Sequence, residues 1–495
     1  MCIGANNMKL SKLIKSVKVL NNIESLFELD IKNLSINSKS KNKSGAYFCL
    51  IGEKDGHDFY KEAINNGAVV LFVQSLIDDC CVPQILVENT REALSLCSCN
   101  FYGNPSKKLK MIGITGTNGK TTTSFIIKEI LQSAGKKVGI IGTEGVLYNN
   151  LVVKTNMTTP DPIELNKILK KMVKAKIEYC VMEVSAHAIF YKKIEGIKYE
   201  LGILTNLSQD HLDFFEDMKT YGDTKAKFLT KKYCKKIIVN GDDIFGRKII
   251  KSQKIYKMVY GINSICDVFA IDIISNFNGS DFYINLFDKV EKIHLNLPCN
   301  YNIYNFLAGA CACRLLGFDS KIVADGIKNL KGVKGRFDCI KYKDIFIVID
   351  YAHTPDGIKN VLDNVNLLNK NGKIITVFGC GGNRDFLKRP IMGKIATDKS
   401  SFVILTDDNP RLEDPIKIIK DIENGIEKNN YKIIENRENA IKFALTIAKE
   451  NDIVLILGKG AEPYQDICGV KVPYSDYKVV ENYINKKSEI KEELC

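Results

Sequence analysis

A glycine-rich loop, Gly116-Thr-Asn-Gly-Lys-Thr-Thr122, contains the residues whose chemistry is easiest to predict. It follows a short apolar run and precedes an amphipathic stretch, so we expect it to join a buried strand to a helix. Backbone N–H groups in such a loop, together with the helix N-terminus, bind phosphate groups. Lys120 would reach the terminal phosphates of a nucleotide and Thr121 a magnesium ion. The strict motif has a glycine where Ile114 stands, so the loop is a variant, and a purely structural turn is the alternative.

Other polar residues follow further apolar runs. Glu183 ends one such run and could present a carboxylate to magnesium, although a glutamate there could equally be exposed or cap a helix. His187, His211 and His353 each lie at or just past an expected strand end. Lys225 lies on an expected helix, and by itself it is most simply interpreted as a solvated lysine. Of these features, only the glycine-rich loop indicates a site without help from the others.

These residues need a scaffold that brings strand ends together. From Lys110 onward, apolar runs of strand length alternate with helical patterns, and this alternation predicts a mostly parallel sheet. The alternation resumes in the last third of the chain and predicts a second, doubly wound α/β sheet. Ligands bind such sheets at the carboxyl ends of the strands, where the polar motifs fall. We therefore predict an α/β protein of three domains, 1–106, 107–332 and 333–495, with the phosphate loop in the central P-loop domain.

Composition limits the classes of function. A chain of 495 residues exceeds what one hydrophobic core usually supports. The formal charge of +13 comes from lysines spread along the chain, a pattern that argues against a nucleic-acid partner and is compatible with a phosphorylated substrate. We find no apolar run typical of a signal peptide or a membrane span, and Met8 is an alternative start to Met1. The 16 cysteines include no C-x-x-C pair, which favours reduced, buried thiols.

An ordered set of motifs is far more specific than any single residue. Besides the loop at 116–122, the set comprises Glu183-Val-Ser-x-His187, Thr205-Asn-Leu-x-x-Asp-His-Leu-Asp213, Tyr301-Asn-Ile-Tyr-Asn305, Gly335-Arg-Phe337, Asp350-Tyr-Ala-His-Thr-Pro-Asp356, Phe378-Gly-Cys-Gly-Gly-Asn-Arg-Asp385, Asp408-Asn-Pro-Arg411 and Gly458-Lys-Gly460. In these residues the chain resembles the Mur ligase family over nearly its whole length, most of all the members that add meso-2,6-diaminopimelate. The resemblance implies the three-domain Mur ligase architecture, with an N-terminal domain for a UDP-linked substrate, a central ATP-binding domain and a C-terminal amino-acid-binding domain.

For the nucleotide and metal, the resemblance implies a specific set of side chains. ATP would be bound by Gly116, Thr117, Asn118, Gly119, Lys120, Thr121, Thr122, Asn305, Arg336 and Asp350. The resemblance implies two magnesium sites, held by Thr121, Glu183, His211 and a carbamylated Lys225. The catalytic residues would be Lys120, Glu183, His211 and Lys225. Carbamylation would convert the lysine into a carboxylate-like ligand, which reverses its interpretation as a solvated lysine. Because Arg336 and Asp350 lie in the predicted C-terminal domain, domain closure is expected to complete the site.

The implied reaction joins a diamino acid to the D-glutamate side-chain carboxylate of UDP-MurNAc-L-Ala-D-Glu through an acyl phosphate. The UDP-linked substrate would be bound by Ser38, Thr158, Thr159, Ser185 and Lys193, and the diamino acid by Arg384, Asn409, Arg411, Gly458 and Glu462. Two positions depart from the family pattern: Lys39 replaces an arginine and Ala461 replaces a histidine. The first departure removes a bidentate contact, and the second leaves the selectivity between amino acids open.

Several alternatives stay open from the residues alone. Meso-diaminopimelate and meso-lanthionine present the same carboxylates, and L-lysine is a third candidate amine. Folylpolyglutamate synthase has a similar phosphate loop, and a P-loop switch that hydrolyses nucleotide would explain the loop but not the C-terminal motifs. We expect a cytoplasmic monomer that binds UDP-MurNAc-L-Ala-D-Glu and a diamino acid, with no nucleic-acid partner and no membrane span.

Overall fold

Three sheets built from successive parts of the chain form the scaffold of the computed structural model. The structure describes residues 7–155, 157–264, 266–287, 289–369 and 371–492, without the side chains from residue 486 onward, so of the two possible starts only Met8 lies within it. The strands of the three sheets come from residues 33–86, 110–295 and 338–457. Each range lies within one of the three predicted domains, whose boundaries stay a prediction.

The N-terminal sheet has four parallel strands. Its region contains β1 (Met8–Lys9), α1 (Leu10–Leu13), β2 (Asp30–Ile31), β3 (Asn33–Ser35), β4 (Gly45–Phe48), α2 (Tyr60–Asn65), β5 (Ala68–Val73), β6 (Gln84–Leu86) and α3 (Thr90–Phe101). The strand order is β3-β4-β5-β6, and β1 pairs only with β2. β5 is apolar along its whole length because a parallel strand between two others is covered on both faces.

The central sheet has eleven strands. Its elements are β7 (Lys110–Thr115), α4 (Lys120–Ser133), β8 (Val138–Gly142), β9 (Gly145–Tyr148), β10 (Leu151–Val153), α5 (Pro162–Lys174), β11 (Tyr179–Glu183), α6 (Ala186–Phe190), β12 (Tyr199–Leu204), α7 (Leu212–Phe215), α8 (Met218–Phe228), β13 (Cys234–Asn240), α9 (Ile244–Ser252), β14 (Lys257–Gly261), β15 (Val268–Asn276), β16 (Gly279–Leu286), β17 (Lys289–Leu295), α10 (Asn300–Leu315) and α11 (Ser320–Gly326). The order is β10-β9-β8-β11-β7-β12-β13-β14-β15-β16-β17. Strands β8 to β15 of that order run parallel, which confirms the predicted parallel core, whereas antiparallel strands at both edges were not predicted.

The position of β7 explains where a ligand can bind. β7 lies between β11 and β12, and all three strands run in the same direction. The phosphate loop, Glu183 and Thr205 therefore leave the sheet at the same edge. Strands that follow β7 in the chain lie on both sides of it, β11 on one side and β12 on the other. Such a change of direction opens a crevice at the carboxyl ends of parallel strands.

The C-terminal sheet has six strands, of which only the first is antiparallel to its neighbour. Its region contains β18 (Asp338–Tyr342), β19 (Ile345–Asp350), α12 (Pro355–Leu368), β20 (Ile374–Phe378), α13 (Lys388–Lys399), β21 (Phe402–Leu405), α14 (Pro415–Glu423), β22 (Tyr431–Ile433), α15 (Arg437–Ile447), β23 (Ile453–Leu457), β24 (Tyr464–Ile467), β25 (Val470–Pro473) and α16 (Asp476–Glu492). The order is β18-β19-β23-β20-β21-β22, with helix-forming segments between parallel strands, so the predicted doubly wound α/β sheet is confirmed. β24 and β25 form a separate antiparallel hairpin.

Two further findings concern membrane and redox chemistry. Among the described helices, none is both long enough and apolar enough to cross a membrane. Nine of the fourteen described cysteines are buried, and all fourteen are free thiols. The expectation of reduced, mostly buried thiols is met by these fourteen residues.

A buried ion pair joins three elements of the C-terminal region. The Nε and Nη2 atoms of Arg437 donate to the two carboxylate oxygens of Asp476 at 2.9 and 2.8 Å, and Nη2 also donates to the carbonyl of Leu457 at 3.0 Å. Both charged side chains are fully buried. The pair therefore ties α15 and the start of α16 to the end of β23, next to the loop that begins at Gly458.

Replacing Arg437 by alanine should lower the stability of the C-terminal region. Removal of one partner leaves the Asp476 carboxylate buried without a cation, and such losses cost about 3–5 kcal/mol in the free energy of unfolding. The effect is measured as a shift of the urea midpoint followed by circular dichroism. Lys442→Ala on the same helix removes the exposed pair with Glu438 and should change stability by only about 0.5 kcal/mol. Equal shifts in the two variants would contradict the role given to the buried pair.

Candidate functional site

A cleft of about 620 Å³ lies between the strand ends of the central and C-terminal sheets. Its walls include most of the side chains singled out from the sequence: Thr117, Asn118, Gly119, Lys120, Thr121, Thr122, Thr158, Glu183, Ser185, His211, Asn305, Arg336, Asp350, Arg384, Asn409, Arg411, Gly458 and Glu462. Five other predicted residues, Ser38, Gly116, Thr159, Lys193 and Lys225, are not part of this lining. Residues separated by more than 300 positions in the sequence thus meet in one cleft.

The phosphate loop is shaped by two glycines with positive φ. Gly116 has φ +144° and Gly119 has φ +84°, and a Cβ atom on Gly119 would lie 2.2 Å from Oδ1 of Asn305. Lys120 begins α4 and folds back over its own loop, where Nζ donates to the carbonyls of Gly116 and Thr117 at 2.9 and 2.7 Å. Burial lowers the pKa of Lys120, while Glu183 and Asp210 act in the opposite direction. The loop therefore has the strand–loop–helix geometry that was predicted for phosphate binding.

Glu183 is neither exposed nor a helix cap. Its side chain is 1% exposed, and its Oε1 atom accepts hydrogen bonds from Oγ1 of Thr121 at 2.9 Å and from the N–H of Thr143 at 3.1 Å. The Oε2 atom accepts from Oγ1 of Thr143 at 3.1 Å. A Cβ atom on Gly142 would lie 2.2 Å from Oε1, so this glycine makes room for the carboxylate. The arrangement places a buried negative charge beside the phosphate loop.

Lys225 lies under the same loop. It is 2% exposed, its Nζ donates to the carbonyl of Gly116 at 3.0 Å, and it lies 4.5 Å from the centre of the Tyr221 ring. The interpretation as a solvated lysine is therefore wrong. Burial, with a smaller contribution from Lys120, lowers the pKa of Lys225 well below its usual value. A neutral amine is the form of lysine that can react with carbon dioxide.

His211 supplies a neutral imidazole at the edge of the cleft. Burial lowers the pKa of His211 to about 3, even though Asp210, 3.3 Å away between Nε2 and Oδ2, favours the charged form. His187 packs edge-on against it, with ring centres 4.8 Å apart. An unprotonated imidazole keeps a lone pair for a metal ion at neutral pH.

The donor set determines whether magnesium fits this corner. Among the described residues, no group of three His, Cys, Asp or Glu side chains could hold a metal ion. The proposed ligands are instead one carboxylate, one hydroxyl, one imidazole and the lysine at 225. Magnesium prefers oxygen ligands, so the set fits only if Lys225 carries a carbamate.

Among the described residues, three polar contacts between side chains connect the central sheet region to the C-terminal region across the cleft. Nη2 of Arg336 donates to Oγ1 of Thr121 at 3.2 Å, and Nδ2 of Asn118 donates to Oδ2 of Asp356 at 3.2 Å. Lys388 forms a buried ion pair with Asp210 at 3.6 Å. The guanidinium of Arg336 also stacks on the Tyr351 ring at 4.4 Å. These contacts bring the C-terminal region against the phosphate loop.

The C-terminal wall holds a compact polar group that we call the Lys459 cluster, formed by Asn409, Lys459 and Glu462. Lys459 is fully buried and donates to Oδ1 of Asn409 at 2.9 Å and to Oε2 of Glu462 at 3.0 Å. Nδ2 of Asn409 donates to the same Glu462 oxygen at 2.9 Å. Asp385, which directly follows Arg384 in the sequence, also lines the cleft. Its buried Oδ2 has no hydrogen-bond partner among the described atoms. This wall offers carboxylates and an amide to an amino-acid ligand.

Ala461, the position where the family pattern has histidine, does not line the cleft. Its side chain packs against the hydrophobic cluster that includes Ile345 and Val454. Its backbone nitrogen would lie 2.3 Å from a Cβ atom on Gly335, so the chain is tightly packed here. In this protein the replacement therefore bears on packing beside the cleft rather than on a direct contact with a ligand.

The residues predicted for the UDP-linked substrate fall into two groups. Thr158 and Ser185 line the cleft, and Oγ1 of Thr159 donates to the carbonyl of Glu183 at 2.9 Å just behind it. Ser38 lies in the N-terminal region, where Oγ donates to Oε2 of Glu62 at 2.5 Å, and Lys193 pairs with Asp161 at 2.8 Å. The structure therefore brings only part of this set to the cleft.

Sequence reasoning missed several residues that shape the cleft, among them Thr143, Asp210, Asp356, Lys388 and Lys459. Four of them carried a usable signal, because Asp210, Asp356 and Lys459 lie inside quoted motifs and Lys388 lies three residues after Asp385, the end of another motif. Thr143 lies just past the end of β8, which is a strand neighbouring β11. Polar residues that follow neighbouring strands were the available clue.

Two family models match the chain in order: the Mur ligase middle domain over residues 114–313 and the Mur ligase, glutamate ligase domain over residues 335–460. A solved Mycobacterium tuberculosis folylpolyglutamate synthase structure, complexed with ADP and AMPPCP, has a TM-score of 0.61 and covers 74% of this chain and 92% of that chain. At 14% identity this likeness shows a shared fold alone.

Two other proteins are similar over almost the whole chain. A solved structure of a UDP-N-acetylmuramoyl-L-alanyl-D-glutamate–2,6-diaminopimelate ligase has a TM-score of 0.71 at 28% identity and covers 97% of this chain and 99% of that chain. The Clostridium acetobutylicum protein named UDP-N-acetylmuramoyl-L-alanyl-D-glutamate–2,6-diaminopimelate ligase 1 is 41% identical over 486 residues, which are 97% of this chain and 100% of that protein. Together with the cleft geometry and the two matched domains, this identity establishes that the chain belongs to the Mur ligase family.

Proposed function

We propose that the protein is an ATP-dependent amide ligase that couples meso-2,6-diaminopimelate to the D-glutamate side-chain carboxylate of UDP-MurNAc-L-Ala-D-Glu, a step of peptidoglycan precursor synthesis. The observation that carries the proposal is that the phosphate loop and two residues of the Lys459 cluster, Asn409 and Glu462, line one cleft. A nucleotide and an amino acid bound at these two places would both reach the acceptor carboxylate between them. The Clostridium acetobutylicum relative is named for this substrate and this diamino acid.

The first step activates the acceptor. A carboxylate oxygen of the D-glutamate residue attacks the γ-phosphorus of ATP, ADP leaves, and an acyl phosphate remains. Lys120 and the loop N–H groups would neutralise the charge on the transferring phosphoryl group. Nζ of Lys120 is held by two backbone carbonyls, so phosphate oxygens need only replace these acceptors. Arg336, which contacts Thr121, would add positive charge from the opposite wall.

Magnesium would be held by Thr121, Glu183, His211 and the carbamate of Lys225. When bound, it supplies positive charge that stabilises the phosphate oxygens during transfer. The chain's own contribution is a buried, unprotonated Lys225 amine, which can attack carbon dioxide to give a carbamate and a released proton. The carbamate places an anion beneath the loop where the neutral amine lay, and it completes an oxygen-rich ligand set.

The second step forms the amide. The amine attacks the acyl carbon, a tetrahedral intermediate forms, and phosphate leaves. The Glu462 carboxylate would accept hydrogen bonds from the substrate's amino group, and Asn409, which donates to the same carboxylate, would line the site beside it. Water would hydrolyse the acyl phosphate, so it must be excluded. The three contacts across the cleft, between Arg336 and Thr121, Asn118 and Asp356, and Lys388 and Asp210, would provide this closure.

The choice of diamino acid depends on the second carboxylate of the substrate. Diaminopimelate has a carboxylate at each end, whereas lysine has one, and an arginine guanidinium binds a carboxylate through two parallel hydrogen bonds. Arg384 and Arg411 both line the cleft and would provide this contact. The unpartnered Oδ2 of Asp385 would accept a hydrogen bond from an ammonium group of the same ligand. We place the enzyme in the cytoplasm, because its substrates are precursors made there. We also propose that the enzyme is a monomer.

A phosphate-release assay tests the proposal directly. With ATP, magnesium and UDP-MurNAc-L-Ala-D-Glu, we expect release to depend on meso-diaminopimelate and to yield a product heavier by one diamino-acid residue, measured by mass spectrometry. Preference for L-lysine would overturn the amino-acid assignment, and an equal rate with meso-lanthionine would widen it. Release without any amine would instead indicate a nucleotide switch, and turnover of a folate would indicate the related synthase activity.

Replacing Lys225 by alanine should abolish most turnover. Loss of the carbamate removes a ligand for the metal, and losses of this kind reduce activity by about 100-fold or more. Lys227→Ala on the same helix removes an exposed lysine and should leave the rate unchanged. As a readout besides activity, wild-type protein in ¹³C-bicarbonate should show a carbamate carbon signal by NMR that the Lys225→Ala variant lacks. A signal that persists in that variant would exclude Lys225 as the modified residue.

Replacing Arg411 by alanine should weaken diaminopimelate binding selectively. Loss of charge-assisted hydrogen bonds worth about 1.5–3 kcal/mol corresponds to a roughly 10- to 150-fold higher KM for diaminopimelate. The KM for ATP should stay within about 2-fold, because the loop is untouched. Lys417→Ala removes an exposed positive charge from the neighbouring α14 and serves as the matched control. A rise in KM that is equal for both substrates would refute the assignment of Arg411 to the amino acid.

A further inference from the structure

The hairpin β24–β25 contacts the cleft through Arg411. The two strands pair only with each other, outside the six-stranded sheet. The backbone N–H of Arg411 donates to the carbonyl of Asp466 at 2.9 Å, and the N–H of Cys468 donates to the carbonyl of Arg411 at 2.7 Å. These two bonds form a short parallel bridge between Arg411 and Ile467. The hairpin thus provides a backbone template for one residue of the amino-acid site.

Arg411 needs such a template because its backbone is strained. Its φ is +52°, in the left-handed region that residues other than glycine seldom adopt. A residue held there costs on the order of 1–3 kcal/mol unless its surroundings impose the conformation. The two hydrogen bonds to the hairpin impose it, so the direction in which the Arg411 side chain leaves the backbone depends on β24.

The guanidinium is also held from two sides. Its Nη1 donates to the carbonyl of Gly382 at 2.6 Å, and its Nε lies 4.0 Å from Oδ2 of Asp466. A Cβ atom on Gly381 would lie 2.8 Å from Nη1, so the glycine leaves the space that the side chain occupies. These contacts involve Nη1 and Nε, and Arg411 as a whole lines the cleft.

The side chain of Asp466 makes few contacts apart from the one with Arg411. Its side chain is 22% exposed, and its Oδ1 atom is buried without a hydrogen-bond partner among the described residues. Its backbone N–H donates to Oδ1 of Asn409 at 2.9 Å, which ties the same residue to the Lys459 cluster. Burial of a carboxylate oxygen without a donor costs free energy, which the nearby Arg411 guanidinium offsets in part.

We propose that Asp466 is a positioning residue that makes the cleft specific for an amine substrate with a second terminal carboxylate. It holds Nε of Arg411 so that the free edge of the guanidinium meets that carboxylate in a fixed orientation. It also discourages the carboxylate from approaching the other edge, where two negative charges would meet. This inference rests on the proposed ligase function and adds to it a residue for which the sequence motifs assign no role.

The test compares Asp466→Asn with the wild type in the full-length enzyme. The substitution keeps the shape and removes the charge. We expect a KM for meso-diaminopimelate about 10-fold higher, as for loss of roughly 1.4 kcal/mol of preorganised binding, with kcat and the KM for ATP within about 2-fold. Asp466→Glu should recover most of the affinity. Val470→Ala, at the exposed turn end of the same hairpin, is the control and should behave as wild type.

A double-mutant cycle separates positioning from general stabilisation. If Asp466 acts through Arg411, the Asp466→Asn change should have no further effect on the KM for diaminopimelate in the Arg411→Ala background. Additive effects, a fall in kcat shared by all substrates, or a lowered melting temperature with unchanged KM would overturn the inference. In each of these cases the wild type still uses diaminopimelate, so the ligase function stands. A wild type that incorporates no diamino acid would overturn both.

Discussion

The contact between the central and C-terminal regions across the cleft is the constraint on which the site depends. It includes the hydrogen bond from Arg336 to Thr121 in the first turn of α4, and it brings the C-terminal strand ends to face the phosphate loop. Because β7 lies between β11 and β12, the loop and Glu183 are already at one sheet edge. Without the contact across the cleft, the phosphate loop and the Lys459 cluster would belong to two incomplete sites.

The cleft concentrates charges that would be unfavourable elsewhere. Lys120, Glu183, Asp210 and Lys225 all lie within or just beneath it, and the last three are largely buried. Burial of ionised groups costs free energy unless they are paired or hydrogen-bonded. Glu183 is compensated by hydroxyl and N–H donors and Asp210 by Lys388, while burial lowers the pKa of Lys225, which favours its uncharged form. Such compensation prepares the cleft for a highly charged nucleotide without preventing the sheets from packing.

The C-terminal wall shows the same principle in an amino-acid site. The buried Arg437–Asp476 pair anchors the end of β23, from which the Gly458 loop and the Lys459 cluster follow. The hairpin then holds Arg411 in a left-handed conformation that the residue would not adopt alone. Rigid support behind side chains that contact a ligand is what converts a general polar surface into a selective one.

The sequence alone determined the local chemistry and the class of fold. The alternation of strands and helices, the loop at 116–122 and the ordered motifs predicted parallel α/β sheets and a set of site residues, most of which line the cleft, because these signals are local in the chain. The sequence could not determine the burial of Lys225, the antiparallel edges of the central sheet, the pairing of Lys388 with Asp210, or the packing of Ala461 against a hydrophobic cluster instead of the cleft. Each of these depends on residues far apart in sequence, so only tertiary packing, which sets burial and therefore the cost of charge, decided them.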